Sequence, residues 1–194
     1  ILINDKKIRD EIVRYINNLL KEVNKKIILN YFNNLKSNDI STKTSDDDFV
    51  SIADKKSEEL ICKKLLGFLN VKKFIGEESS YLNNKQYITL LNEPLVWVVD
   101  PIDGTKNYIN GKDTFCSMIS LVSFSIPIAT FIYYPLKNIY VYAFKGFGAY
   151  SVKIDTNKIT KLSINQTTPK LILGSGGTKG IPDPYRKSIL DNLR

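Results

Sequence analysis

The chain predicts an α+β fold, and three observations predict it. Its first third carries two helical hydrophobic patterns. After Gly111 it turns into short runs rich in Val, Ile, Phe and Tyr, separated by Pro and Gly. The two kinds of pattern are largely segregated along the chain instead of alternating strictly, which favours mostly antiparallel strands over a wound parallel sheet.

Residues 8–35 predict one long amphipathic helix, since Ile8, Ile12, Ile16, Leu19, Leu20, Val23, Ile27, Tyr31 and Leu35 recur at intervals of three and four. Asp5 is placed to cap it. Residues 36–48 are polar and hold the acidic run Asp46-Asp47-Asp48, which reads as a mobile loop with solvated charges. Residues 52–69 predict a second helix with Ile52, Ala53, Leu60, Ile61 and Leu65 on one side and Gly67 weakening its end. Residues 71–75 predict a short strand running into Gly76-Glu77-Glu78, and residues 79–92 a polar loop or hairpin. Residues 95–99 form a buried strand bounded by Pro94 and Pro101. Strands follow at 115–124, 128–134 and 139–144, then a turn over 145–150 into another strand. Weaker strands are expected at 159–164 and 171–174, and a helix begins at 182–193.

Composition narrows the chemistry. Among 194 residues, 43% are hydrophobic and 11% aromatic, enough for a packed domain and too many for a disordered chain. No run approaches the roughly 20 apolar residues of a bilayer helix. The opening is polar and shows no secretory pattern, so a cytoplasmic, membrane-free protein is expected. Because the first residue is Ile, a preceding segment stays open. Cys62 and Cys116 stand far apart in apolar surroundings and read as reduced core thiols. There is no histidine, which excludes imidazole zinc sites and Ser-His-Asp triads. The net charge of +8 comes from 28 basic and 20 acidic residues, with only Arg9, Arg14, Arg186 and Arg194 among the arginines. Scattered lysines without an aromatic platform argue against nucleic acid, while a phosphorylated substrate would still be attracted.

Chemistry concentrates at Val98-Val99-Asp100-Pro101-Ile102-Asp103-Gly104-Thr105. A hydrophobic strand ends in a carboxylate, Pro101 turns the chain, and Asp103 follows close enough for a tight turn to aim both carboxylates into one space. Gly104 allows close backbone approach, Thr105 supplies a hydroxyl, and a helical turn starting there would offer free N–H groups to phosphate. Paired carboxylates stay ionised most readily with cations between them, and oxygen-only ligands beside phosphate favour Mg²⁺. A type I turn with Asp as a helix cap is the alternative for this segment alone. Glu77 after the 71–75 strand and Asp54 near a helix start could face the same cleft.

These pieces resemble the inositol monophosphatase family, within the Mg²⁺-dependent, lithium-sensitive phosphatases. The resemblance rests on Phe74-Ile-Gly-Glu-Glu-Ser79, on Trp97 through Thr105 continuing into Lys106-Asn107-Tyr108, and on Ser51-Ile-Ala-Asp54. It implies a layered αβαβα fold, of which residues 1–150 would be the N-terminal αβ domain that binds metal and phosphate, and 151–194 the start of a second αβ domain. It also implies that Glu77, Asp100 and the main-chain oxygen of Ile102 hold one Mg²⁺. Asp100 and Asp103 would hold a second, with Glu77 assisting a third through water. Asp54 and Thr105 would orient and deprotonate the attacking water. Ile102, Asp103, Gly104 and Thr105 would line the phosphate, with the amides of Gly104 and Thr105 gripping it. Family members are commonly dimers, so a homodimer is an expectation.

The family pattern includes a Trp-Asp motif completing the second metal site, and the sole tryptophan here, Trp97, belongs to the first motif. The expectation is therefore a C-terminally truncated chain with weak or no activity. The expected substrate is inositol monophosphate. Alternatives are a 3′(2′),5′-bisphosphate nucleotidase, a histidinol-phosphate phosphatase, a fructose-1,6-bisphosphatase, or a non-catalytic regulatory protein on the same fold.

Overall fold

In the computed structural model, residues 2–43, 49–80, 89–90 and 92–163 are described. The first hydrophobic pattern forms α1 (Lys6–Val23), capped by the Asp5 carboxylate, which accepts from Lys7 N at 2.7 Å. A π-helical turn, Asn24–Ile28, and a last α turn, Leu29–Tyr31, continue it. Periodicity alone gave no sign of the π turn, and two tertiary contacts account for it. Buried Asn24 donates from Nδ2 to Leu20 O at 2.8 Å and meets Ser117 Oγ at 3.4 Å, while Ile28 O accepts from the buried Tyr108 hydroxyl at 2.7 Å. The helix stops at Tyr31, short of residue 35, where Asn33 turns to positive φ.

Residues 36–43 are more ordered than a loop, and the acidic run at 46–48 lies outside the described residues. After a 3₁₀ turn at Ser37–Asp39 comes β1 (Ile40–Thr42), paired antiparallel with β2 (Phe49–Ser51). Helix α2 (Ile52–Leu65) follows at once, capped by Ser51 Oγ, which accepts from Ala53 N and Asp54 N. It ends four residues before the expected limit. Gly67 adopts φ +88°, and the Tyr15 hydroxyl donates to Lys64 O in the last turn at 2.6 Å.

Among the described residues a seven-stranded sheet follows, in the order β3-β4-β5-β6-β7-β8-β9. The strands are β3 (Phe74–Gly76), β4 (Val96–Asp103), β5 (Cys116–Ser123), β6 (Ile126–Tyr134), β7 (Ile139–Phe144), β8 (Gly148–Lys153) and β9 (Lys158–Leu162). Among the described strands only β3 with β4 is parallel, and the antiparallel ladder from β4 to β9 matches the α+β expectation. Residue 150 falls inside β8, and the ladder and its compact unit run on to Leu162 and Ser163. The expected strand at 171–174, the helix at 182–193 and most of the 79–92 loop lie outside the described residues.

Helices and sheet share one apolar core. Ile12, Ile16 and Leu20 of α1, Ile61 and Leu65 of α2, and Trp97, Ile119 and Phe131 of the sheet are all fully buried. Aromatic stacking ties the layers, with Tyr15 against Phe68 at 3.8 Å and Phe68 against Trp97 at 6.2 Å. Cys62 and Cys116 are buried free thiols, as the apolar surroundings implied, and burial pushes both up to about 12. No described helix is long and apolar enough to cross a membrane.

Candidate active site

The first half of the site hangs from α2. Asp54 is fully buried at the third position of the helix. Its Oδ2 accepts from Ser51 N at 2.9 Å and Ser51 Oγ at 2.5 Å, so the capping box that starts the helix also clamps the carboxylate. Its Oδ1 faces Thr105 Oγ1 at 3.1 Å, and that hydroxyl also lies 3.0 Å from Ile102 O. Burial raises the Asp54 pKa above the usual carboxylate value against the lowering hydrogen bonds from Ser51 and Thr105.

The second half comes from the end of β4, where the structure corrects the expected turn. Pro101 does not end the strand, which runs on to Asp103. Instead the register with β5 shifts: Asp100 faces Met118, yet Asp103 faces Cys116. The extra residue makes a bulge, and a bulge tolerates proline because the ladder is interrupted there. Gly104 follows at φ 89° and ψ 35° and opens the short helix α4 (Thr105–Ile109). A Cβ there would fall 2.9 Å from Thr114 O, so both the backbone angle and the space call for glycine.

Asp100 carries a buried Oδ1 with no hydrogen-bond partner among the described residues. Burial first, then the charge and hydrogen-bonding contact of Glu77, then Asp103 and Asp54, push its pKa up to about 8. Glu77 begins the short helix α3 (Glu77–Ser80), directly after β3. Parallel pairing of Gly76 with Val99 brings it beside Asp100. Asp103 is exposed, with Cys116 Sγ 3.7 Å from its Oδ2.

Two participants escaped the sequence reading. Lys43, just after β1, reaches its Nζ to Glu78 Oε1 at 2.7 Å and Glu77 Oε1 at 2.9 Å, with its side chain 7% exposed. Burial alone would lower this ammonium, but the hydrogen bonds and charges of Glu78 and Glu77 hold it well above the ordinary lysine value. Glu58, one helical turn after Asp54, accepts from Glu78 N at 2.6 Å and Ser79 N at 2.8 Å. Lys43 sits in a stretch with no hydrophobic pattern to place it. Glu58's position four residues after Asp54 on the same helix was the one available signal.

The sequence-nominated residues Asp54, Glu77, Asp100, Ile102, Asp103, Gly104 and Thr105 thus lie around one end of β4. Among the described residues, no three His, Cys, Asp or Glu close into a ready cation cage. The donor set nevertheless fits a hard divalent cation. It is all oxygen, Asp100 holds an orphaned buried oxygen, its neighbours raise its pKa, and a lysine ammonium already stands on Glu77 as a positive charge.

A buried aspartate bonded to a half-buried threonine beside clustered carboxylates, at the end of a mixed sheet, defines a class of αβ proteins with an all-oxygen site. The chain belongs to the inositol monophosphatase family, whose profile matches residues 9–192. It is 33% identical over 158 residues to a protein of Aquifex aeolicus named fructose-1,6-bisphosphatase/inositol-1-monophosphatase, covering 81% of this chain and 54% of that one. It is 34% identical over 128 residues to inositol monophosphatase 1 of Solanum lycopersicum, covering 66% and 44%. In fold it resembles the Thermotoga maritima IMPase, with a TM-score of 0.61 at 21% identity over 73% of this chain and 51% of that one. The chain spans about half the length of these curated relatives.

Proposed function

We propose that the chain carries the metal and phosphate end of a phosphomonoesterase site, with inositol monophosphate as the first substrate. The observation that carries this reading is the Asp54–Thr105–Ile102 contact beside the orphaned oxygen of Asp100. Glu77, Asp100, the main-chain oxygen of Ile102 and Asp103 would hold Mg²⁺. When bound, such an ion acidifies water and neutralises charge developing on the phosphoryl oxygens.

The chain's own groups do the rest. Thr105's hydroxyl donates toward Asp54 Oδ1 and turns its lone pairs to an incoming water. The water's proton passes through that hydroxyl to Asp54. Burial has raised the affinity of Asp54 for a proton, and Ser51 holds its other oxygen in place, so the acceptor needs no rearrangement. The amides of Gly104 and Thr105 bind the phosphate.

Inositol monophosphate comes first because the run Asp103-Gly104-Thr105-Lys106-Asn107-Tyr108 suits that branch. The double name of the Aquifex relative keeps sugar bisphosphates in the same class. The test is phosphate release with Mg²⁺ from inositol monophosphate, fructose 1,6-bisphosphate and a nucleotide 3′-phosphate. It is run on the chain and on a form extended to the length of its relatives. Turnover of inositol monophosphate that needs Mg²⁺ and is lost in Asp54→Asn supports the reading. Metal-independent turnover, or turnover indifferent to Asp54→Asn, refutes it.

A further inference from the structure

Glu77 follows a glycine and precedes a residue whose amide is held by another carboxylate, and the same carboxylate explains both. Glu58 is 5% exposed, a costly place for a charged group unless donors surround it. Its two oxygens accept from the main-chain N–H groups of Glu78 and Ser79 at 2.6 and 2.8 Å. On the other side of Glu77, a Cβ built on Gly76 would fall 2.3 Å from Glu58 Cδ and 2.4 and 2.5 Å from its oxygens. Gly76 has an ordinary negative φ, so backbone conformation does not demand glycine there. The demand is for space, and Glu58 fills it.

We infer that Glu58 is a positioning residue that sets the main chain of Glu77 from both flanks, and that Gly76 is glycine because of it. The inference rests on Glu77 serving as a metal ligand. Asp54 and Glu58 are four residues apart on α2 and project from the same side of the helix. One rigid helix therefore fixes the Asp–Thr pair and the Glu77 turn together. Charge-assisted bonds to two consecutive amides hold a short turn more firmly than its own single helical turn can. Removing Glu58 releases Glu77 without touching Glu77's side chain. Outer groups that orient a ligand typically govern about 10–100-fold in metal affinity.

The experiment is a titration with Mn²⁺, followed by the electron paramagnetic resonance of the free ion, with a thermal midpoint recorded for every variant. The variants are Glu58→Gln, Glu58→Ala, Gly76→Ala and the double variant Glu58→Ala/Gly76→Ala. Cys62→Ala, a buried residue one turn further along α2, is the control for stability loss alone. Glu58→Ala and Gly76→Ala are expected to weaken Mn²⁺ binding about 10-fold or more. Glu58→Gln, which keeps one acceptor oxygen, should lose less, and Cys62→Ala nothing. In the double variant the added methyl has room, so it should bind no worse than Glu58→Ala. Mn²⁺ binding within about twofold of the parent in Glu58→Ala, or a full additive loss in the double variant, overturns the inference. Should Glu58→Ala fail to fold, Glu58→Gln and Gly76→Ala decide in the same way. If the parent binds no Mn²⁺, or Asp100→Asn leaves its binding unchanged, the metal reading itself falls, and this inference with it.

Discussion

Asp100 offers the sharpest test, because its burial has a calculable effect before any metal is added. Its pKa is 3.8 when free and is pushed up to about 8 in the fold, by burial first and by Glu77 and Asp103 after it. The folded protein therefore holds this proton more tightly than the unfolded chain does. The favourable protonated state is fully present below about pH 4. As pH rises toward 8 the unfolded chain ionises freely while the folded one must keep a proton or bury a charge, and stability is lost over that window. At about 1.4 kcal/mol per pH unit, the ceiling is about 6 kcal/mol. Glu77 is 40% exposed and can swing away, and solvent screens the part it contributes. About 2 kcal/mol is then expected, or roughly 4–8 °C for a domain of this size. Thermal unfolding in EDTA at pH 5 and pH 8 measures it. Wild type should melt lower at pH 8, and Asp100→Asn, which stays neutral, should remove most of that difference. Added Mg²⁺ should restore wild type at pH 8 and leave Asp100→Asn unmoved, since only a state-specific ligand stabilises. If wild type and Asp100→Asn show the same pH dependence, the electrostatic account of the site is wrong.

Three further outcomes follow from single contacts. Gly104→Ala should cost about 2 kcal/mol, because it forces positive φ on a side chain that meets Thr114 O at 2.9 Å; a melting point within 1 or 2 °C of wild type (roughly, by the same scaling) would contradict this. Thr105→Val keeps the shape and removes the hydroxyl between Asp54 and Ile102. In the form extended to the relatives' length it should lower phosphate release by about 100-fold or more while Mn²⁺ binding changes little, and equal losses in both would assign Thr105 to the metal instead. Tyr108→Phe strips the hydrogen bond to Ile28 O at 2.7 Å and should destabilise the chain by about 1–2 kcal/mol in urea unfolding, with no effect expected on Mn²⁺ affinity.

Local pattern alone carried much of this protein. The spacing of Ile12, Ile16 and Leu20 announced α1, the Val, Ile and Phe runs announced β5 to β7, and the run from Trp97 to Thr105 named the candidate carboxylates and hydroxyl. Those features are encoded within a few residues of chain, where periodicity and turn chemistry act directly. What the tertiary structure decided were the contacts between distant segments. The π turn after α1 answers to Tyr108 and Ser117, 80 and 93 residues away from their partners. The bulge at Asp100–Asp103 exists only against β5, so Pro101, a strand terminator by itself, becomes part of a strand. Lys43 and Glu58 meet the Gly76–Ser79 segment only after β1 and α2 have packed. A side chain's charge is written in the sequence. Whether that charge is buried, paired or orphaned depends on which other chain segments remove water from around it, and that is settled only when the fold closes.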